Sequence, residues 1–423
     1  MDWIAKDKNS IWHPFTPLAG VDDPLMVTKA EGVYLHTEDG RKIIDAVSSW
    51  WVNLHGHSHP YIAEKVSQQA HQLEHVIFAG FTHQPAIELA ENLLSVLPGN
   101  QSKIFYSDNG STAVEVALKM AFQYWYNQGI PKKKVIALDG GYHGDTFGSM
   151  SVGERGDFTT PFVPFLFDVD YVDFPYPDTE GEVLNQFKDL VSQGDVAAFI
   201  FEPLVQGASG MRIYSTPFLD QLISICQENN VLCIADEVMT GFGRTGKWFA
   251  SEYLDHKPDI LCLSKGLTGG TMALGVTSCT EEVMKVYRST QLKKAFLHGH
   301  SFTANPIACA AANASFELLS KKECQQAIQW ISEMQAQFVV KNQSRPILND
   351  IRSLGTILAL EFKTDQDSSY FSEMRNVLYP FFLQRNVLLR PLGNLIYVLP
   401  PYVIDPQQLG HVHAVIEEFL DTC

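Results

Sequence analysis

The chain has 423 residues, 45% of them hydrophobic and 19% charged, a composition that excludes disordered, fibrous and membrane-spanning classes. Its 48 acidic side chains outnumber 31 basic ones, and the net charge of −17 argues against nucleic acid or an anionic membrane as the main partner. The length suggests about three units of roughly 150 residues, or fewer if one is a large α/β domain.

The first twenty residues, MDWIAKDKNSIWHPFTPLAG, mix charges with aromatics and offer no apolar stretch of the kind a secretion signal requires. The seven cysteines are odd in number and form no Cys-x-x-Cys pair, which reads as a reduced, intracellular chain with the cytoplasm as its expected location. From about residue 100 to 265 short apolar runs alternate with turns and helix-length segments: KIFYS, VIALD, AAFIFE, VLCIADE and ILCLSK. Such runs predict a mostly parallel sheet buried on both faces, with ligands bound beyond the carboxyl ends of its strands. Asp108 and Gly110, Gly140 and Tyr142, Glu202, Asp236 and Lys265 all fall at those ends. Asn305-Pro306 is a helix start, and Cys324, Ala327, Ile328, Ile331, Met334 and Phe338 recur at helical spacing as core. Beyond Pro346 strand patterns return (GTILALEF, VLLRP, LIYVLP) before a last helix. The expected division is a 1–55 segment packing with the small domain, a large domain over 56–305 and a smaller α+β domain over 306–423.

Asp236 and Lys265 lie 29 residues apart, which predicts neighbouring strand ends separated by one strand-helix-strand unit. A buried lysine there has a lowered pKa and can form a Schiff base. An aspartate facing a pyridine nitrogen keeps that ring protonated, as pyridoxal phosphate chemistry requires. Taken alone, the pair also fits a surface lysine and a turn-capping aspartate. Asn109-Gly110-Ser111-Thr112 opens a helix after a strand, and its free N–H groups, glycine and two hydroxyls form a seat for a phosphate monoester. In GGYHG (140–144), Tyr142 can lie flat over a planar ring.

The segments FEPLVQGASG (201–210), ADEVMTGFGRTG (235–246) and SKGLTGG (264–270), in this order and spacing, resemble the class III aminotransferases, fold type I pyridoxal-phosphate enzymes. The likeness covers nearly the whole chain. It implies a large domain with a mixed, mostly parallel sheet flanked by helices, plus a smaller α+β domain. It also implies pyridoxal 5'-phosphate as cofactor, with Lys265 as the Schiff-base lysine and proton shuttle, Asp236 as partner of the ring nitrogen, Tyr142 stacked on one face and Val238 on the other. Gly110, Ser111 and Thr112 would hold the phosphate. Ser301 would reach it from the other subunit of a homodimer with shared active sites.

Four further segments, IWHPFTP (11–17), SSWWVNLHGHSHP (48–60), YSDNGSTAVEVALKMAFQYW (106–125) and LLRPLGNLIYVLPPY (388–402), are similar to one branch of that class. That branch takes S-adenosylmethionine as amino donor and 8-amino-7-oxononanoate as acceptor in biotin biosynthesis. The likeness implies that Trp50 and Trp51 wall the substrate cavity, that Arg390 pairs with a substrate carboxylate, that Arg244 helps position the acceptor's tail, and that Phe15 and Gly299 border the substrate. Two segments depart from the pattern: Phe15 stands where the family has tyrosine, so that hydroxyl is absent, and residues 299–302 read GHSF in place of GPTF. The string His55, His57, His59 is read as a structural loop and not a metal site, because no carboxylate or cysteine cluster accompanies it. The competing readings are a relative with lysine or another ω-amino donor, an aminomutase, and a catalytically silent binding protein.

Overall fold

The computed structural model describes residues 2–156, 158–364 and 374–422. In chain order the strands are β1 (Val27–Glu31), β2 (Tyr34–Thr37), β3 (Lys42–Asp45), β4 (Gln101–Ser107), β5 (Lys134–Leu138), β6 (Asp170–Val172), β7 (Val196–Phe201), β8 (Val205–Gln206) and β9 (Arg212–Ile213). They continue with β10 (Leu232–Asp236), β11 (Ile260–Leu263), β12 (Gly275–Thr280), β13 (Leu348–Leu354), β14 (Ile357–Phe362), β15 (Val387–Leu388) and β16 (Leu395–Val398).

Seven strands form the main sheet in the order β4-β12-β11-β10-β7-β5-β6. Every pairing in it is parallel except the two made by β12. Strands β7, β10 and β11 are buried along their whole length, as expected of a sheet covered on both faces. β12 is buried too but reads GVTSCT, and its hydroxyls are tolerated because each is bonded: Thr277 Oγ1 donates to the Ala113 carbonyl at 2.7 Å and Ser278 Oγ to Gln101 Oε1 at 2.8 Å.

The link between β10 and β11 departs from the expected strand-helix-strand unit. It contains a single 3-10 turn, Ala250–Tyr253, and otherwise irregular backbone. The cause is its TGFGRTG stretch: Gly243 and Gly246 have φ of 97° and 93°, and a side chain at Gly241 would collide with the Glu237 carbonyl at 2.8 Å. The folded loop is pinned by the buried Glu237, whose carboxylate accepts from Ala250 N (3.1 Å), Ser251 N (2.7 Å), and the hydroxyls of Thr240 (2.5 Å) and Ser251 (2.7 Å).

After the main sheet, helix Pro306–Leu319 starts at Asn305, whose side chain accepts from Ala308 N. It packs on helices Pro60–Gln72 and Gln84–Val96 and against the turn Lys265–Thr268. Helix Lys322–Asn342 follows, with Ile328, Ile331 and Phe338 buried. β13, β14 and β16 form an antiparallel sheet, while β15 pairs in parallel with β3 and so ties the C-terminal part to the N-terminal ribbon. Among the described residues no helix is long and apolar enough to cross a membrane.

Candidate active site

The strand order decides what meets at the carboxyl edge of the sheet. In the parallel register Asp236 of β10 lies beside Cys262 of β11, so Asp236 and Lys265 leave adjacent strands at the same edge. Glu202 leaves β7 and Tyr142 follows β5, next in line. β12 runs the other way, so the loop before it, including Gly270 and Met272, enters the same space. These residues line a cavity of about 450 Å³ with Trp51, Gly110, Ser111, Val238 and Met239.

Lys265 stands in the cavity wall with its Nζ 4.4 Å from the centre of the Trp51 ring. Burial pushes its pKa down to about 8, against the opposing pull of Asp236 and Glu202. An amine in that range is a nucleophile and a proton carrier near neutral pH. Asp236 is held from two sides: its Oδ2 contacts His143 Nδ1 at 2.7 Å, and its Oδ1 accepts from Val238 N at 3.1 Å. Both carboxylate and imidazole are buried. His143 is a functional residue the sequence reading passed over, although it is the next residue to Tyr142 in GGYHG. Glu202 accepts from Tyr142 N and Gly207 N, each at 3.0 Å, and burial raises it to about 7, with His143 opposing. Burial also raises the Tyr142 phenol, which is thus neutral at physiological pH.

At the far side of the cavity helix Gly110–Gln128 begins, capped by Asn109. Thr112 corrects the sequence reading of the phosphate seat. Its hydroxyl donates to Asp108 Oδ1 at 2.7 Å, its N–H goes to Asn109 Oδ1 at 3.0 Å, and it does not line the cavity. Gly110 and Ser111 do line it. A side chain at Gly110 would strike Val238 at 2.8 Å, and one at Gly144 would strike Ser111 at 2.1 Å, so the cradle depends on both glycines.

Trp51 is 4% exposed, lines the cavity, and has an indole Nε1 without a protein partner. Trp50 points elsewhere: it lies beneath the Arg390 guanidinium at 4.3 Å and edge-on to Phe15 at 5.6 Å. Phe15 also meets Phe158 at 5.9 Å. The structure thus separates a cavity end, with Trp51, from an aromatic cluster of Phe15, Trp50 and Phe158 beside Arg390.

Arg244 requires a second correction. It is only 1% exposed and lies outside the cavity lining, with its guanidinium committed to the carbonyls of Pro400 (2.9 Å), Trp51 (3.2 Å) and Asn53 (3.0 Å). It braces the backbone that carries the tryptophans; burial lowers its pKa. Gly299 and Ser301 lie on an exposed loop and do not line this chain's cavity. Of the three histidines of the 48–60 segment, His55 and His59 meet edge to face with ring centres 6.2 Å apart, while His55 bonds Ser315 Oγ at 3.1 Å and His57 turns to Asp45 at 2.9 Å. Among the described residues no three potential metal ligands gather.

The donor set fits pyridoxal phosphate. It offers an amine for the carbonyl carbon, a fixed carboxylate for a pyridinium N–H, a tyrosine and a valine for the two ring faces, and helix N–H groups with a hydroxyl for phosphate.

The description "Aminotransferase class-III" matches residues 18–420. The chain is 47% identical over 97% of its length, and 98% of the relative's, to the adenosylmethionine-8-amino-7-oxononanoate aminotransferase of Synechococcus elongatus. It is 36% identical to the Helicobacter pylori protein of the same name, covering 99% of this chain and 97% of that one. Its fold superposes with a TM-score of 0.92 on the crystal structure of the adenosylmethionine-8-amino-7-oxononanoate aminotransferase of Methanocaldococcus jannaschii, at 34% identity over 99% of this chain and 98% of that one. A PLP-bound amine transaminase from an uncultivated Pseudomonas species gives the same TM-score, 0.92, at 27% identity over 98% and 99% of the two chains. With this fold, this set of strand-end residues and a family match over nearly its whole length, the chain belongs to the class-III aminotransferases.

Proposed function

We infer that the protein is a pyridoxal-phosphate-dependent aminotransferase of biotin biosynthesis, converting 8-amino-7-oxononanoate to 7,8-diaminononanoate with S-adenosylmethionine as amino donor. The observation that carries this reading is the full-length 47% identity to a relative of that name, on a chain that keeps Lys265, Asp236 and the helix start at Gly110 around one cavity.

Pyridoxal phosphate, when bound, supplies the electron sink for the carbon that loses a proton. The chain supplies the rest. Asp236, fixed by His143 and Val238 N, would be the partner of the ring nitrogen. Gly110 N and Ser111 would hold the phosphate through the helix start. Tyr142 and Val238 would hold the two faces of the ring. Lys265 Nζ would carry the proton lost from the donor's α-carbon and return one to the acceptor's carbon in the second half. The buried Trp51, beside Lys265, would shield that transfer from water.

Arg390 is assigned to a substrate carboxylate, which its planar fork binds at two points. The indole face of Trp51 suits both the apolar chain of the keto acid and the sulfonium of the donor, and Trp50 flanks the Arg390 guanidinium outside the cavity lining. Arg244 acts on substrate through the backbone of the tryptophan turn. Gly299 and Ser301 are assigned to the neighbouring subunit's cavity in a homodimer; their loop presents exposed Leu297 and Phe302, which favours burial against a second copy. The cytoplasm is the assigned location.

The test is product detection by mass spectrometry, with the cofactor-loaded protein and 8-amino-7-oxononanoate given S-adenosylmethionine or lysine in separate tubes. Diaminononanoate with S-adenosylmethionine alone supports the reading. Product with lysine alone overturns the donor, and product in neither tube overturns the acceptor.

A further inference from the structure

Ser48, Ser49, Trp50 and Trp51 have φ of 52°, 45°, 72° and 74°, so four consecutive non-glycine residues follow a left-handed turn. L residues avoid that region because Cβ crowds the carbonyl oxygen, and a run of four persists only where its surroundings over-determine it. Here the surroundings centre on one carboxylate. Asp45 is fully buried; its Oδ1 accepts from the backbone N–H of Val47 (3.3 Å) and Ser49 (3.0 Å), and its Oδ2 from the Ser49 hydroxyl (2.7 Å) and His57 Nε2 (2.9 Å). The turn is closed by Ser48 Oγ donating to the Leu399 carbonyl at 2.7 Å and by Arg244 donating to the Trp51 carbonyl.

The turn delivers two adjacent indoles to different places. Trp51 is buried against Lys265 with its Nε1 unpartnered in the cavity wall, and Trp50 lies under Arg390. We propose that Asp45, which touches neither cavity nor substrate, is a positioning residue that sets substrate binding by holding this left-handed turn. The proposal rests on reading the cavity as the transamination site.

Asp45→Asn is the informative change because it keeps the shape. The Asn53 amide donates to His57 Nδ1 at 3.3 Å, so His57 Nε2 carries the hydrogen facing Asp45. An asparagine amide group must therefore face either that N–H or the N–H groups of Val47 and Ser49, donor against donor in both orientations.

The experiment compares cofactor-loaded wild type and Asp45→Asn in steady-state kinetics with both substrates and in near-ultraviolet circular dichroism. The expected result is KM raised about tenfold or more for both substrates, the scale of losing a charged hydrogen-bond partner, with kcat and cofactor content little changed and the tryptophan bands altered. Unchanged KM and unchanged bands, or a loss confined to kcat, would overturn the proposal. Should Asp45→Asn fail to fold, Ser49→Ala removes one of the four bonds, and a rise in KM of about threefold is expected, with no rise counting against. The dichroism needs no substrate: a wild type inactive on these compounds fails the functional reading, while the bands still decide whether Asp45 holds the turn.

Discussion

Replacing Arg390 by alanine probes the substrate end of the site most sharply. The guanidinium rests 4.3 Å from the Trp50 ring and makes no ion pair among the described residues. The indole contact, worth roughly 0.5–1 kcal/mol, is present with or without substrate and cancels from the binding difference. What remains is the charge-assisted bond to a carboxylate, about 1.5–3 kcal/mol. At about 1.4 kcal/mol per tenfold, Arg390→Ala lowers kcat/KM for the keto acid by roughly 10- to 150-fold. Arg390→Lys keeps the charge but loses the fork, and falls between the two. Steady-state kinetics with varied 8-amino-7-oxononanoate reads the effect, and an unchanged melting temperature separates it from misfolding. A kcat/KM within about threefold of wild type would refute the assignment of Arg390 to the carboxylate.

Lys265→Ala removes the proton carrier and leaves the phosphate seat, so the variant retains non-covalent cofactor while turnover falls by roughly 10²- to 10⁴-fold or beyond; cofactor absorbance and product assays check both halves. His143→Ala strips Asp236 of its 2.7 Å partner, costing about 1–3 kcal/mol at a buried charge, and is expected to weaken cofactor affinity by ten- to a hundredfold in a titration. Because burial lowers Lys265 to about 8, the rate of cofactor uptake by the cofactor-free protein rises with pH to about 8 and then levels, where an ordinary lysine would keep rising toward 10.5. The same shift has a stability consequence: between about 8 and 10.5 the unfolded chain holds a proton that the folded chain has released, so this residue's contribution grows as pH rises. Denaturation of the cofactor-free protein against Lys265→Met at the two ends of that window measures it, and a gap independent of pH would contradict the buried-amine reading.

The strands that set the site were legible because β7, β10 and β11 are unbroken apolar runs with chemistry at their ends. β12 was not, since its buried face is written in threonine and serine, whose hydroxyls find partners only in the folded sheet. Thr112 looked like a phosphate ligand because a hydroxyl at a helix start serves equally as a cap, and nothing local says which it does. Arg244 was placed at the acceptor's tail only by the family likeness, but its acceptors come from residues about 190 and 156 positions away in the chain. The left-handed turn was invisible for the same reason. SSWW contains no glycine, and the groups that hold it include Leu399 and Arg244. Local spacing reports which face a residue takes along an element, and it is silent on a backbone bent by distant partners.

Isotope labelling follows the amino group from S-adenosylmethionine to 8-amino-7-oxononanoate directly. The direct measurement is a single incubation of the cofactor-loaded protein with the keto acid and S-adenosylmethionine carrying a heavy-nitrogen label in its α-amino group, followed by mass analysis of the diamine. The expected product is 7,8-diaminononanoate with the label on the new amino group, and none from Lys265→Ala. Unlabelled diamine, or labelled diamine formed equally by Lys265→Ala, would contradict it.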